Sequence, residues 1–279
     1  MAQAPDSSEW ATERGEKWRD HLDDLEAELT PINTPLIEAL DLTAPLKIAD
    51  LGCGGGGASR GIFDAAPTGS SVTGFDISPA LIDAARPRHA DAGANLSFTV
   101  ADLQDSPPPA QPFDRLTSRF GVMFFPDPEK AFSNLANWLA PGGTFAFAVW
   151  ANPKENPWMY MLKQTVAEFV DIPKLPPDTP GPFRYADVQP FETLLSGCGF
   201  SEVASTLWRG DVPLGGHLPA ADAARFAISA FSIGSWLEDM DDEIRAKAFA
   251  ILTERFAKYE TDGAVLMPAA AHIVTGARN

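Results

Sequence analysis

The chain has 279 residues, 45% of them hydrophobic, enough for one large domain with its own core and too apolar for a disordered class. Thirty-eight acidic against 21 basic residues give a net charge of −17, which repels DNA, RNA and anionic membrane surfaces and disfavours nucleic-acid substrates. The two cysteines, Cys53 and Cys198, lie far apart and give neither zinc-ligand spacing nor a disulfide framework, so no metal site is expected.

The N-terminus, "MAQAPDSSEW", lacks a basic region followed by an apolar one. No apolar run approaches the roughly 18 residues of a membrane span, and a cytoplasmic protein with no membrane span is expected. From Ser8 to about Leu42, Trp18, Leu22, Leu25 and Leu29 recur at helical spacing, and Pro31 and Pro35 interrupt the run before a second short helix. "PLKIADLG" is a short strand ending at glycines, and "ASRGIFDAA" begins a helix.

The alternation continues. "SSVTGFDIS" predicts a second strand, and Ser78 with Pro79 an N-cap that opens the next helix. "ANLSFTVADL" and "FDRLTSRFGVMFF" predict the third and fourth strands, and Asp127 with Pro128 repeats the cap signature. "TFAFAVW" is the fifth strand. Prolines collect at 107–112 and 173–182, which read as loops. Beyond Trp150, "NPWMYMLKQTVAEFV" and "YADVQPFETLLSGCGF" are helical and "SEVASTLWRGDVPL" is a strand. Helices are expected at about 219–237 and 241–259, and a last strand at "AAAHIVTGARN". Strands alternating with helices imply an α/β, doubly wound, mostly parallel sheet. Three parts follow: an N-terminal helical lid (1–44), a nucleotide-binding core (45–150), and a remainder (151–279) of the same domain carrying a helical cap at about 219–259.

The first loop, "KIADLGCGGGGASRG", satisfies the dinucleotide pattern G-x-G-x-x-G at Gly52, Gly54 and Gly57. Asp50, two residues before Gly52, argues against a pyrophosphate there, because a carboxylate would oppose two negative charges at close range. Asp76 ends the second strand near the roughly 20-residue spacing at which an acid reaches ribose hydroxyls. Asp102 ends the third, placed to accept from an adenine amine, with Leu103 as its apolar neighbour.

"IADLGCGGGGAS", "GFDIS", "VADLQD", "FDRLTSRFGVMFF" and "LAPGGTFAFAVW", in this order, resemble the successive motifs of class I S-adenosylmethionine-dependent methyltransferases. The small-molecule branch that includes the ubiquinone and menaquinone biosynthesis enzymes is the most similar. The resemblance covers about residues 45–150 well and the rest weakly. It implies a Rossmann-like, seven-stranded sheet with an antiparallel last strand inserted in it, and S-adenosyl-L-methionine as cofactor. It implies that the first loop wraps the methionine part, the second acid holds the ribose and the third binds adenine. Asp50, Gly52, Cys53, Gly54, Asp76, Ile77, Asp102, Leu103 and Ser118 are then the cofactor candidates.

A small methyl acceptor would meet Trp18, Arg119, Phe120, Met123, Trp150 and Trp158, and the many aromatics suit an apolar or aromatic molecule. "SRFG" at 118–121 departs from the Asn/Asp-Pro-Pro-aromatic tetrapeptide of DNA amino-methyltransferases. His21 and His217 are the candidate bases; His89 reads as a surface residue and His272 as structural. Cys53 between glycines reads as packing and not as a nucleophile. The expected activity is methyl transfer to O, N or C of a small metabolite, by a monomer or homodimer. Two alternatives remain: a binder of the same cofactor with other chemistry, and a nicotinamide oxidoreductase.

Overall fold

The computed structural model describes residues 7–278 apart from 174, 175 and 177. The start of the expected lid, at 1–6, and Pro177 of the expected proline loop lie outside the described residues, as does Asn279 at the end of the last strand.

The N-terminal run folds as four short helices, α1 (Ser7–Ala11), α2 (Glu13–Asp20), α3 (Leu22–Leu29) and α4 (Asn33–Ala39), instead of the two expected. His21 has φ −113° and ψ 20°, outside the helical region, and it divides α2 from α3. Pro31 falls in a 3₁₀ turn, Thr30–Ile32, and Pro35 lies in the first turn of α4, where its missing N–H costs nothing.

The core then alternates as expected: β1 (Lys47–Leu51), α5 (Gly57–Ala65), β2 (Ser71–Asp76), α6 (Pro79–Arg88), β3 (Leu96–Val100), β4 (Phe113–Arg119), α7 (Pro128–Ala136) and β5 (Leu139–Trp150). The cap signatures work as the residue types dictate. Ser78 Oγ accepts the amide of Leu81 at 3.3 Å, and Asp127 Oδ1 that of Lys130 at 3.0 Å. The fourth strand stops at Arg119, short of the expected "FGVMFF", because Phe120 takes the left-handed conformation with φ 65° and Val122–Phe124 form a 3₁₀ turn.

Next come α8 (Pro157–Ala167), α9 (Val188–Gly197), β6 (Phe200–Pro213), α10 (Ala220–Ala230), α11 (Asp242–Ala257), the two-residue β7 (Glu260–Thr261) and β8 (Ala264–Arg278). The first expected cap helix is split. After Ala230 the chain leaves helical geometry at Phe231 and resumes as a 3₁₀ segment, Ser232–Leu237.

The sheet order is β3-β2-β1-β4-β5-β8-β6, with β7 paired to β8 off this path. Strands β3, β2, β1, β4 and β5 are parallel, while β8 pairs antiparallel to β5 on one side and to β6 on the other. The antiparallel last strand is thus inserted within the sheet, as the motif order implied. It is joined by one short extra strand and begins at Ala264 instead of at 269. Ile48, Leu51, Leu116, Phe145, Phe147 and Val274 are buried in the sheet layer, as parallel strands covered on both faces require. Outside the sheet, α4 packs on α5, α2 crosses α6, and α10 lies against α11.

Candidate active site

The carboxyl ends of β1 to β5 open onto a cavity of about 920 Å³, roofed by residues of α1 to α3 and walled by residues of α8 and of the segment around 230–236. Such a volume is near the upper end of the roughly 300–1,000 Å³ that holds one drug-sized ligand.

On the β1 side the glycine loop is held from within. Gly52 and Cys53 both donate to the Phe75 carbonyl at 2.8 and 3.0 Å, Gly54 donates to Asp76 Oδ2 at 2.8 Å, and Gly56 to the Cys53 carbonyl at 2.9 Å. A side chain at Gly52, whose φ is +68°, would stand 2.8 Å from the Gly121 Cα, backbone against backbone. The first amide of α5, that of Gly57, donates to Glu26 Oε1 at 3.3 Å. A carboxylate of this chain therefore holds the place where a dinucleotide fold seats its pyrophosphate, the positive end of the helix.

Asp50 lies beneath this loop and is 1% exposed. Ser59 Oγ donates to its Oδ2 at 2.6 Å, while its Oδ1 is buried without a partner among the described residues. Burial pushes the carboxyl up to about 6, against the lowering effects of the Ser59 hydrogen bond and the Arg119 charge. Asp76 uses both oxygens, accepting from Gly54 and, through Oδ1, from Ser78 at 2.9 Å. Its burial still raises it, outweighing those amide bonds. Asp102 Oδ1 accepts the amide of Gln104 at 2.9 Å, and its side chain lines the cavity with Leu103 and Ile77. Cys53 also lines the cavity. Burial, with Asp76, Asp50 and Glu26 nearby, drives its thiol well above the ordinary range, so it stays protonated.

The acceptor candidates converge. Trp18, Arg119, Phe120, Met123, Trp150 and Trp158 all line the cavity. The left-handed turn at Phe120 lays its ring on Trp150 at 3.9 Å and 10°, and Trp158 meets Trp150 edge-on at 5.6 Å. Arg119 is already engaged: it pairs with Glu26 and donates to Asn33 Oδ1 at 2.8 Å.

Four expectations need correction. Ser118 does not line the cavity; its Oγ donates to the Leu51 carbonyl at 2.6 Å and accepts from Gly121 at 3.1 Å, joining the ends of β1 and β4. His21 stands in a separate recess with Arg19, Asp20 and Arg88, its ring edge-on to Phe226 at 5.7 Å. His217 is exposed on the loop after β6 and contributes nothing to the cavity wall. Neither histidine is placed to act as the base. His89 is no simple surface residue either, since Nε2 lies 3.0 Å from the Gly55 carbonyl and the ring packs beside Phe98. Glu26 and Glu28 of α3 were missed. The available signal was the position of Glu28, three residues after Leu25, inside the buried stripe of Leu22, Leu25 and Leu29.

Residues 48–143 match a family described as the methyltransferase domain. This stretch is similar to methyltransferase domains. The chain's sheet order and antiparallel β8 are those of the class I methyltransferase fold named above from the motifs. An uncharacterized protein of Mycobacterium tuberculosis is 31% identical over 125 residues, 45% of this chain and 44% of that one. A ubiquinone biosynthesis O-methyltransferase of Coxiella burnetii is 29% identical over 146 residues, 52% of this chain and 61% of that one. The chain thus spans about half the length of the curated relatives it matches. In three dimensions, the YcgJ protein of Bacillus subtilis is similar with a TM-score of 0.56 at 17% identity, over 88% of this chain and 97% of that one, a likeness of fold.

Proposed function

We propose that the chain is an S-adenosyl-L-methionine-dependent methyltransferase acting on a small apolar or aromatic metabolite, with the methyl going to O, N or C. The observation that carries the reading is the buried Asp50 carboxyl, whose Oδ1 has no partner among the described residues, in the wall beside the glycine loop. A buried acceptor without a partner is costly, and an ammonium group supplies donors and charge together. The amino acid end of the cofactor has such a group. A pyrophosphate would instead meet Asp50, Glu26 and loop amides already spent on the chain's own oxygens. That disfavours the nicotinamide alternative.

In this reading Asp50, Gly52, Cys53 and Gly54 hold the amino acid end, Asp76 and Ile77 the ribose, and Asp102 and Leu103 the adenine. When bound, the cofactor supplies a methyl group on a sulfonium, an excellent leaving group, so the chain's task is alignment and exclusion of water. The helices before residue 44 close over the cavity as a lid, and the 219–259 insertion caps it. Trp18, Phe120, Met123, Trp150 and Trp158 form the acceptor's apolar wall, and Arg119 braces it through Glu26. The partner is a small molecule, in a cytoplasmic monomer or homodimer. Among the described residues no helix is long and apolar enough to cross a membrane.

Titration calorimetry with S-adenosylhomocysteine and with NADH tests this. Tight S-adenosylhomocysteine binding is expected, and NADH binding without it would sink the reading. Methyl-labelled cofactor incubated with a host-cell metabolite extract then separates transfer from mere cofactor binding by the appearance of a labelled product.

A further inference from the structure

Glu28 is an acid at the other end of the same cavity. It sits on α3, is 1% exposed, and its Oε2 accepts the amide of Gly215 at 3.0 Å. Its Oε1 has no hydrogen-bond partner among the described residues and is not among the polar atoms sealed from solvent. Gly215 follows β6, which runs antiparallel to β8 just as β5 does, so it lies at the carboxyl edge of the sheet that bears the cavity. Asp76 ends β2 and Asp102 follows β3, at the opposite side of that edge. Glu28 therefore belongs to the half of the cavity away from the ribose and adenine candidates. The wall that continues from the Phe120 and Trp150 stack is aromatic, with Trp158 5.1 Å from Phe231. Trp158 Nε1 is buried there without a partner among the described residues.

We infer that Glu28 receives the proton lost by the methyl acceptor, and that the acceptor carries a hydroxyl on a planar apolar body. This rests on the methyltransferase reading above. A lone pair on the acceptor oxygen forms the new O–CH₃ bond, and the pair of the breaking S–CH₃ bond stays on sulfur. The O–H pair returns to oxygen as the proton passes to the Glu28 carboxylate. A cation and an anion become a neutral thioether, a methyl ether and a carboxylic acid, and a low-dielectric chamber favours that loss of charge.

The surroundings of Glu28 fit this cycle. Burial pushes its carboxyl up to about 8, against the lowering effect of the Gly215 amide and with Asp24 adding to the rise. Asp24, one turn earlier on α3, is the charged group that acts on it; the loop after β6 offers it the Gly215 amide, and His217 further along that loop is exposed. The carboxyl is thus mostly neutral in the empty chamber. A fixed positive charge nearby favours ionisation by roughly tenfold or more, which readies the base only when the methyl donor is in place.

Calorimetry at pH 7 in buffers of different ionisation enthalpy counts the protons released on binding. S-adenosylmethionine and S-adenosylhomocysteine share their nucleoside and amino acid parts, so the difference between them isolates the sulfonium. Wild type is expected to release about 0.4 of a proton or more in excess with S-adenosylmethionine, the amount a tenfold shift gives at pH 7. Glu28→Gln keeps a carbonyl oxygen for the Gly215 amide; it should bind both ligands within about threefold of wild type and abolish the difference. Equal release in wild type, or a difference that survives in Glu28→Gln, overturns the role of Glu28 and leaves the cofactor reading standing. Failure of wild type to bind either ligand overturns both. If Glu28→Gln does not fold, infrared difference spectra of wild type decide. Loss of a protonated-carboxyl band with S-adenosylmethionine alone supports the inference, and its persistence overturns it.

Discussion

The Glu26 carboxylate joins two elements at once: it pairs with Arg119 at the end of β4 and accepts the amide of Gly57 at the start of α5. The side chains of the pair are 15% and 6% exposed, so the contact is nearly dry. Removing one partner leaves the other charge buried, a loss of about 3–5 kcal/mol. Glu26→Ala and Arg119→Ala are each expected to lose stability on that scale. The double variant should lose clearly less than the sum, read as a coupling in a urea-denaturation cycle. Additive losses would mean that the two residues act independently.

Asp76 carries two duties, closing the glycine loop through the amides of Gly54 and Ser78 and, as proposed, holding ribose hydroxyls. Asp76→Ala should weaken S-adenosylhomocysteine binding at least about tenfold, and the unpartnered amides should cost about 1–3 kcal/mol of stability. Calorimetry and thermal unfolding measure the two separately. Unchanged affinity would remove the ribose assignment, and unchanged stability would remove the loop-closing role.

Gly52→Ala tests how closely the loop approaches the chain after β4. The new methyl would meet the Gly121 backbone at a positive φ, and no rotamer can relieve a backbone contact. A loss of more than about 2 kcal/mol in folding stability is expected. Gly54→Ala should show only the conformational cost, because at Gly54 the nearest atom is Trp18 Nε1 at 4.0 Å. Equal losses in the two variants would contradict the close approach.

The raised carboxyls predict a stability profile. Folded Glu28 lies at about 8 against an ordinary 4.5, and Asp50 at about 6 against 3.8. Each binds its proton more tightly folded than unfolded, so the stability it confers is present below the ordinary value and lost as pH rises through the folded one. Ligand-free wild type should weaken between about pH 4 and 8, limits set by those values, and Glu28→Gln should lack the upper part of that decline. Urea midpoints across pH measure it, and parallel profiles for the two proteins would refute the assignment.

What could be read from residues alone depended on how local the signal was. That Asp50, Asp76 and Asp102 line the cavity was legible because each stands within two residues of a strand's end, and strand, glycine turn and cap are written within a few neighbours. Glu28 was legible only as an acid inside the stripe of Leu22, Leu25 and Leu29; its partner Gly215 lies 187 positions away, beyond any local pattern. The histidines misled for a related reason. His21 was read as part of a continuous helix, but it divides two helices and leans on Phe226. Ser118 ends a parallel strand buried on both faces, where alternation gives no rule for which side chain meets a ligand and which meets the neighbouring backbone.

The insertion of β8 between β5 and β6 also sets a schedule for synthesis. As the ribosome delivers the chain in order, β1 to β5 can pair at once, but β6 has no partner until β8 exists, because its pairing runs along β8 alone. Until then the outer edge of β5 stays open, a template for wrong pairing. A nascent chain stalled before Ala264 should therefore be sensitive to protease over β6 while its β1–β5 portion is already resistant. Release of the last strand would close both seams together.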